Sequence, residues 1–476
     1  IYCKIVKNKM TIKRLKFTTG LKLPENKVTE HMPVTRLDMP SKVILPLQQH
    51  FGQQCNLLVK RGEKVKTGQM IADSESFVSA PIHSTITGVV SSVFKMINPL
   101  ANSIVDAAEI TASETEEIEY LSVNPVFEEI KKDLEGFEEN KEAGEYLEGK
   151  IKEIISKING IGNEEIISVV KNAGIVGLGG ATFPTHVKLS PPKDKKIDSL
   201  IINGCECEPY ITADHRIMLE YGMQMLIGAY IFYKVLNPRK VYIAIEDNKE
   251  DAILNIDNLI MKSGLADNFC VVSLKSKYPM GAEKTLIKNV LKRKVPVGGL
   301  PLDVGVVVNN VGTCKAACDA VLKGQPLIEK VISVTGAVSN PGNFIVRIGT
   351  PVSEILKCCG EFKSEIREII LGGPMMGNDI NEENFPVTKA VNCILIKRSL
   401  PRNEGNCIRC GRCVDVCPMN LMPLNYAGFV KNSKFDMCSE YHISSCIECG
   451  SCAYICPSAI PIVAYIKTGK SILAGR

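Results

Sequence analysis

Two groups of four cysteines near the end of the chain have the residue type and the spacing to hold iron–sulfur clusters. In each group the cysteines are separated by two, two and three residues, and a proline follows the last one; the groups begin at Cys407 and Cys446. Three thiolates at steps of three can bind one face of a [4Fe–4S] cube, while the fourth reaches across to the other cluster. Zinc sites more usually show separated pairs of cysteines. The spacing therefore predicts two [4Fe–4S] clusters, with zinc or free thiols as the alternative.

The exchange of the fourth ligand gives two expected ligand sets. They are Cys407, Cys410, Cys413 with Cys456, called here the first cluster, and Cys446, Cys449, Cys452 with Cys417, called the second cluster. Cys438 lies between the two groups and outside both patterns, so we expect it to be a spectator. The chain has 19 cysteines and shows no export signal at its start, which favours thiolate ligands in a reducing compartment over disulfides.

A glycine-rich loop at 174–188 is the first of four loops that could bind an anionic cofactor. It contains four glycines in seven residues and ends at Lys188. Main-chain N–H groups can approach an anion where no Cβ obstructs them, and a lysine can meet a phosphate. Thr182 stands where a dinucleotide-binding fingerprint has its third glycine, so the loop is not that motif. A merely tight connection is the equally weighted alternative.

The other three loops lie at 203–214, 278–284 and 309–313, and the first and last of them directly follow predicted strands. The loop at 203–214 carries Glu206 and Glu208, which either form a solvated turn or hydrogen-bond a ring system and a ribose. Cys205 and Cys207 form a C-x-C pair without nearby His or Cys partners, which is more typical of small buried residues than of a metal site.

The order and wording of these four loops resemble the flavin-binding subunit of respiratory complex I. Here they read GIVGLGGATFPTHVK, NGCECEPYITAD, YPMGAEK and NNVGT. The resemblance implies an FMN site lined by Gly177, Gly179, Gly180, Lys188, Asn203, Glu206, Gly281, Asn309, Asn310 and Thr313. It also implies that Phe183 stacks on the nicotinamide nucleotide, with Glu208 and Glu283 facing it. Leu178, Cys205 and Ala282 stand where that subunit has arginine, aspartate and glutamate.

The segment around these loops predicts a three-layer α/β domain with a mainly parallel sheet. Buried strands are expected at 199–202, 241–245, 270–274 and 304–308, and helices at 213–235 and 249–263. Asn163 with two glutamates after it reads as a helix start, and Gly174 as its stop. Ligands of such sheets bind at the carboxyl ends of the strands, where these loops begin.

Residues 55–93 alternate apolar and polar positions between glycine-containing turns, which predicts short antiparallel strands. The expected turn glycines are Gly62, Gly68 and Gly88. This stretch resembles the barrel-sandwich domain of biotinyl and lipoyl carriers. No lysine occurs between Met70 and Val90, so the cofactor-bearing lysine is missing and a docking or structural module is expected.

Residues 331–360 alternate as strands around an Asn-Pro-Gly turn and then become helical. They look like a soluble-ligand-binding β-grasp domain, which complex I has in the same position, and packing between modules is the expected role. The glycine-rich stretch 371–377, LGGPMMG, follows without an assigned use.

The composition excludes several classes of protein. The chain of 476 residues is 45% hydrophobic and 23% charged, which is typical of globular domains, and it has no apolar run long enough for a membrane helix. It has no Trp and no Lys/Arg cluster, so a nucleic-acid partner is not expected. The segment 106–148 carries 15 acidic and 3 basic residues and is typical of a solvated surface.

The whole chain resembles the RnfC family, the NADH-facing peripheral subunit of ion-translocating ferredoxin:NAD oxidoreductase complexes. The resemblance covers about 17–462 and includes FVSAPIHS, GLGGATFPTHV, CEPYITADHR and GGPMMG besides the cysteine groups. Five segments are expected along the chain. They are a barrel-sandwich domain at 17–105, an acidic linker at 106–150, an FMN/NADH-binding α/β domain at 151–325, a β-grasp domain at 326–398 and a two-cluster ferredoxin-like helical domain at 399–470.

The RnfC resemblance implies an electron-transfer subunit that connects two [4Fe–4S] clusters, FMN and NAD(H). Membrane and peripheral partner subunits would translocate the ion, and ferredoxin would exchange electrons indirectly. The expected location is the cytoplasmic face of the membrane, with attachment through partners. A cobalamin reductase of the PduS type shares the same modules and is one alternative; a non-catalytic wiring and docking subunit that never meets the nucleotide is the other.

Overall fold

A computed structural model describes residues 12–15, 20–98, 103–127, 144–360, 367–380, 382–398 and 403–475. The chain start that shows no export signal, the expected start of the N-terminal domain at Phe17 and the middle of the acidic segment at 128–143 lie outside these ranges. No helix in the described ranges is long and apolar enough to span a membrane.

The regular elements of the described residues are numbered along the chain. The strands are β1 Lys13–Leu15, β2 Val34–Arg36, β3 Lys42–Pro46, β4 Asn56–Leu57, β5 Lys64–Val65, β6 Met70–Asp73, β7 Ile82–His83, β8 Gly88–Asn98, β9 Ser103–Ala112, β10 Ser199–Gly204, β11 Lys240–Glu246, β12 Phe269–Leu274, β13 Val306–Asn310, β14 Glu329–Gly336, β15 Gly342–Arg347, β16 Arg367–Leu371, β17 Asn378–Ile380 and β18 Cys393–Arg398. The α-helices are α1 Gly144–Asn159, α2 Asn163–Asn172, α3 Thr185–Lys188, α4 Ala213–Glu220, α5 Gly222–Leu236, α6 Glu250–Ser263, α7 Glu283–Leu291, α8 Val311–Lys323, α9 Val352–Cys358, α10 Arg412–Asp415, α11 Pro423–Lys431, α12 Phe435–Glu440, α13 Ser451–Tyr454 and α14 Ile462–Ala474.

The N-terminal domain contains two antiparallel sheets, of order β3-β9-β8-β5 and β4-β6-β7. Gly62 and Gly68 have φ of +86° and +92° and occupy turns, as expected. Gly88 was expected at a turn, but it is the first residue of β8 and pairs with both Val65 and Ala112. A Cβ at Gly88 would lie 2.0 Å from the carbonyl oxygen of Thr111, so the glycine there permits close approach of two strands.

The central domain is built on a parallel sheet of order β1-β12-β11-β10-β13. All four expected strands occur within two residues of their predicted bounds. The last of them, β13, begins at Val306 instead of 304, because Pro301–Val304 forms a 3₁₀ turn ending at Gly305. The edge strand β1 comes from the chain's beginning and was not predicted.

The helix expected at 213–235 is two helices, α4 and α5, which join at Tyr221. The first eleven residues of α5, Gly222–Phe232, are all buried, so this part of the sequence lacks a polar face and carries little periodicity. A Cβ at Gly228 in α5 would lie 1.8 Å from the carbonyl oxygen of Cys314 in α8, which explains this glycine by close helix packing. The predicted helix near Asn163 exists as α2, with Gly162 as its N-cap in place of Asn163.

The β-grasp domain has the mixed sheet β17-β16-β18-β14-β15-β2. The hairpin β14–β15 leads into α9, and β18 returns parallel to β14 in the middle of the sheet. The strand β2, from the N-terminal part of the chain, extends the edge at β15. This domain is therefore fastened to a segment about 300 residues earlier in the sequence.

The C-terminal domain consists of short helices around a small core. Tyr426 and Ile466 are fully buried there, and five of the eight expected ligand cysteines belong to the same core, namely Cys413, Cys417, Cys446, Cys452 and Cys456. Cys438 is also buried in this core, 3.8 Å from the position that a Cβ on Gly469 would take.

Candidate flavin and iron–sulfur sites

The glycine-rich loop folds against the start of α8, beside the carboxyl end of β13. The amide of Leu178 donates a hydrogen bond of 2.9 Å to Oγ1 of Thr313, and the amide of Gly177 donates to the carbonyl of Phe183 over 2.9 Å. Gly180 has φ of +115°, a conformation that favours glycine, and a Cβ added there would meet nothing within 4 Å. A Cβ at Gly179 would lie 3.5 Å from Cβ of Asn310. The loop and the 309–313 segment are thus neighbours.

Two adjacent asparagines at the end of β13 differ in their hydrogen bonding. The side chain of Asn310 caps α8 by accepting from the amides of Gly312 and Thr313, and its Nδ2 donates to Asp214 over 2.7 Å. The side chain of Asn309 is buried, and neither its Oδ1 nor its Nδ2 has a hydrogen-bond partner among the described residues. Buried amides normally find partners. Asn309 therefore has the two unused polar atoms that a bound ring system could satisfy.

Lys188 lies at the end of α3, with its ammonium group close to the same strand. Its Nζ donates 2.7 Å to the carbonyl oxygen of Val308 and contacts Oε1 of Glu283 at 3.2 Å. The lysine is only partly buried. The predicted site residues of the first and third loops therefore meet at this ion pair, which leaves the ammonium group with one further donor for an anion.

The second and third loops are joined by Asn203. Its Nδ2 donates to the carbonyl of Gly281 over 2.8 Å, and its Oδ1 accepts from the amide of Cys205 over 3.1 Å. Cys207 Sγ accepts a 3.3 Å hydrogen bond from the amide of Gly281. Burial raises the pKa of both Cys205 and Cys207, so these thiols are neutral. Cys205 is buried, as expected, whereas Cys207 is half-buried.

Glu206 is held by the start of α4. Its carboxylate accepts from the amides of Asp214 and His215 at 2.6 and 3.3 Å. Nζ of Lys27, a buried lysine that precedes β2, donates 3.0 Å to the carbonyl oxygen of Glu206. Lys27 also donates to the carbonyls of Glu208 and Ile211. The side chain of Glu206 thus fixes the loop by stabilising a helix N-terminus.

Glu208 lies toward the C-terminal domains. Its Oε2 accepts from the amide of Met375 over 3.1 Å, and its Oε1 has no partner among the described residues. Burial raises the pKa of Glu208 to about 7. Tyr278, in the third loop, is close to Glu208, and its hydroxyl donates 2.6 Å to the carbonyl oxygen of Cys449. The flavin-type loops therefore contact the main chain of Cys449, which is expected to bind the second cluster.

Phe183 stacks on Phe51 of the N-terminal domain, with ring centroids 5.7 Å apart and planes 28° apart. The amide of Phe51 also donates to the carbonyl of Thr182 over 3.1 Å. Phe51 is 63% exposed. The two rings thus form an open aromatic pair beside the glycine-rich loop, to which the barrel-sandwich domain contributes one member.

Four cysteines of the C-terminal domain line one cavity. They are the expected ligands of the second cluster, Cys417, Cys446, Cys449 and Cys452. Burial raises the pKa of Cys446 to about 11, and the neighbouring thiols of Cys449 and Cys417 contribute to the shift. The long-range member of the set, Cys417, is therefore placed with the three cysteines of the other repeat.

The first group is more open. Cys407 and Cys410 are exposed, whereas Cys413 is buried. Burial raises the pKa of Cys413, and the nearby thiols of Cys407 and Cys410 add to the effect. Cys456 is half-buried against the same core. Within the described ranges, no group of His, Cys, Asp or Glu side chains is arranged around a single metal ion.

The sequence did not predict the contacts that three residues make at these sites: Lys27, Phe51 and Met375. Each lies in a different segment from the loop it contacts, and no motif surrounds the first two. The glycine-rich stretch at 371–377 was noticed, but its neighbours were not predictable because they are more than 70 residues away along the chain in both directions.

Comparison with known domain families agrees with this arrangement. The matches run along the chain as the RnfC barrel sandwich hybrid domain at 15–115, the Nuo51 FMN-binding domain at 170–319, the SLBB domain at 331–379 and the 4Fe-4S dicluster domain at 406–460. The fold and the two sites define a flavin- and iron–sulfur-containing electron-transfer protein, whose cofactors are FMN and two [4Fe–4S] clusters.

Two curated relatives identify the family. A component of the proton-translocating ferredoxin:NAD(+) oxidoreductase complex of Clostridium ljungdahlii is 41% identical, over 83% of this chain and 80% of its own length. The corresponding component of the Na(+)-translocating ferredoxin:NAD(+) oxidoreductase complex of Acetobacterium woodii is 37% identical over 90% of both chains. The chain belongs to this family, the RnfC family. A solved NAD+-reducing [NiFe]-hydrogenase is similar at 15% identity, over 68% of this chain and 62% of its own, with a TM-score of 0.48.

Proposed function

We propose that this chain passes electrons between NAD(H), FMN, the second cluster and the first cluster, in that order or in reverse. It would do so as a peripheral subunit of an ion-translocating ferredoxin:NAD+ oxidoreductase complex, attached to the cytoplasmic face of the membrane through partner subunits. Two similar relatives carry that complex in their names. The ion would be moved by the membrane partners, and ferredoxin would exchange electrons with the complex through them.

The observation that carries the proposal is the hydrogen bond from Tyr278 to the carbonyl of Cys449. Tyr278 belongs to a loop of the flavin domain, and Cys449 is a proposed ligand of the second cluster. Burial raises the pKa of Tyr278, so its hydroxyl keeps its proton and remains a donor. This contact favours the second cluster as the one next to the flavin site.

The first cluster would then form the outer end of the route. Cys407 and Cys410 are exposed, and the intervening Ile408 is 66% exposed. An electron partner can approach this side of the C-terminal domain without displacing any other domain of the chain. The exposure of this group supports its proposed place at the outer end of the route.

The residues at the end of the central sheet fit FMN. We propose that Asn309 hydrogen-bonds the flavin ring, that Gly177, Gly179 and Gly180 admit its phosphate, and that Lys188 neutralises that charge. When bound, FMN exchanges an electron pair with nicotinamide and single electrons with iron–sulfur clusters. Asn203, Asn310 and Thr313 would hold the surrounding loops, as their hydrogen bonds indicate.

We assign the open aromatic pair of Phe183 and Phe51 to the nucleotide. Aromatic faces bind planar rings with little loss of side-chain entropy. Glu283, already paired with Lys188, and Glu208 would face the nucleotide from the opposite loops. The Phe51 contribution means that the barrel-sandwich domain would form part of the nucleotide site.

The test is reduction of an artificial electron acceptor by the purified chain with NADH. Phe51→Ala should raise the KM for NADH and leave kcat and flavin content unchanged, as expected when uniform binding is removed. Phe77→Ala is a matched control, because Phe77 is 57% exposed in the same domain and packs edge-on against His186. A chain that binds FMN and both clusters but oxidises no NADH would contradict the proposal and favour a non-catalytic wiring subunit.

A further inference from the structure

We propose that the turn Gly372–Gly377 of the β-grasp domain is a positioning element that fixes the second cluster against the flavin site. The inference rests on the proposed electron order, and it gives a role to a motif that the other sites leave unused. The turn lies between Glu208 of the flavin domain and Gly450 of the ferredoxin-like domain.

The turn is closed on itself and tied to its own sheet. The amide of Gly377 donates to the carbonyl of Gly373 over 2.9 Å, and the amide of Gly372 donates to the carbonyl of Cys393 in β18 over 2.7 Å. Gly372 has φ of +107°, which favours glycine. A Cβ at Gly377 would lie 2.5 Å from both the Gly373 carbonyl oxygen and Ile370. A turn with these constraints has little freedom to move relative to the sheet.

One side of the turn contacts the flavin domain without spare room. The amide of Met375 donates to Oε2 of Glu208, and a Cβ at Gly373 would lie 2.3 Å from the same oxygen. Real Cβ atoms do not approach this closely, so a methyl group at Gly373 must displace Glu208 or the turn. The position of this side is therefore coupled to that of the 203–214 loop.

The other side contacts the loop of the second cluster. A Cβ at Gly450 would lie 2.5 Å from the carbonyl oxygen of Met375. Gly450 follows Cys449, whose carbonyl accepts the hydrogen bond from Tyr278. The main chain of Met375 thus touches the flavin domain through its N–H and the cluster loop through its C=O. A single residue spans the gap between the two domains.

The corresponding glycine in the first group of cysteines shows that the cysteine motif does not require this contact. Gly411 follows Cys410 as Gly450 follows Cys449, and the two glycines have φ of +75° and +78°. A Cβ at Gly411 would meet nothing within 4 Å. An alanine would strain the backbone similarly at both positions, but only Gly450 lies against the 372–377 turn. The two variants therefore form a matched pair.

The experiment compares Gly450→Ala with Gly411→Ala in the full chain carrying FMN and both clusters. Hydrogen exchange at residues 372–377, measured after removal of the flavin, should accelerate in Gly450→Ala and stay at the wild-type rate in Gly411→Ala. Photoreduction of the flavin with EDTA as the electron donor, followed by freeze-quench electron paramagnetic resonance of the clusters, should show slower reduction of the second cluster in Gly450→Ala alone. Because light and EDTA replace NADH, a failure of the proposed nucleotide reaction leaves this measurement intact.

Equal effects in the two variants would assign the change to backbone strain and overturn the proposal. Wild-type exchange and a wild-type rate in Gly450→Ala would also overturn it. If Gly450→Ala loses its second cluster, the same measurements are made on Gly373→Ala, because Gly373 lies outside both cysteine groups. Slower reduction of the second cluster in Gly373→Ala with full iron content supports the positioning role, and an unchanged reduction rate refutes it.

Discussion

Replacing Asn309 by leucine should stabilise the flavin-free protein and weaken FMN binding. The Oδ1 and Nδ2 atoms of Asn309 are buried without partners among the described residues. A buried unsatisfied polar group costs about 1–3 kcal/mol, and an apolar group of the same shape removes that cost. The flavin-free variant should therefore be more stable by about 1–3 kcal/mol. For a domain of 150–250 residues this corresponds to about 2–4 °C in Tm per kcal/mol.

With flavin present the sign reverses. The variant cannot make the hydrogen bonds that we assign to Asn309, each with a net value of about 0.5–1.5 kcal/mol. Two such bonds correspond to roughly a 5- to 150-fold rise in the Kd for FMN, at a factor of ten for each 1.4 kcal/mol. Melting with and without FMN, together with a flavin titration, measures both effects on the same variant.

The neighbouring Asn310 provides the control. Its side chain caps α8 and bonds Asp214, so Asn310→Ala should lower the stability of the flavin-free protein. Loss of an N-cap typically costs about 0.5–2 kcal/mol. A lower Tm in flavin-free Asn309→Leu together with an unchanged Kd for FMN would refute the reasoning, because Asn309 would then be an ordinary structural residue.

Three further changes test the remaining sites. Cys417→Ala should remove the second cluster and spare the first, as read by iron content and electron paramagnetic resonance, with Cys438→Ala keeping both; loss of the first cluster would disprove the ligand assignment. Lys188→Ala should weaken FMN binding by about 1.5–3 kcal/mol, the usual contribution of a charge-assisted hydrogen bond, and an unchanged affinity in a flavin titration would exclude the phosphate contact. Burial raises the pKa of Glu208 to about 7, so folding favours its protonated form and wild-type stability falls as the pH rises from about 4.5 through 7. Glu208→Gln should therefore raise the Tm at pH 8 and have little effect near pH 5, and a gain that does not depend on pH would contradict the assigned burial cost.

The sequence was sufficient for features that are encoded locally. Buried parallel strands read as short apolar runs, so β10, β11 and β12 were placed within one or two residues. The helix predicted at 213–235 is interrupted at Tyr221. The prediction missed this break because α5 begins with a long buried stretch whose apolar pattern carries no signal for it. Gly88 was misplaced for a related reason: a glycine that admits a neighbouring strand looks the same in sequence as a glycine in a turn.

For the sites, the residue types and their spacing along each loop could be read directly from the sequence. Cysteine spacing and glycine-rich stretches are local properties, and the resemblance to known families rests on them. Which loops meet became apparent from the folded chain alone. Tyr278 and Cys449 are 171 residues apart, and Glu208 and Met375 are 167 apart, so no periodicity or spacing links them. Contacts of this kind depend on how separately folded domains pack, and packing is set by complementary surfaces that no single stretch of sequence contains.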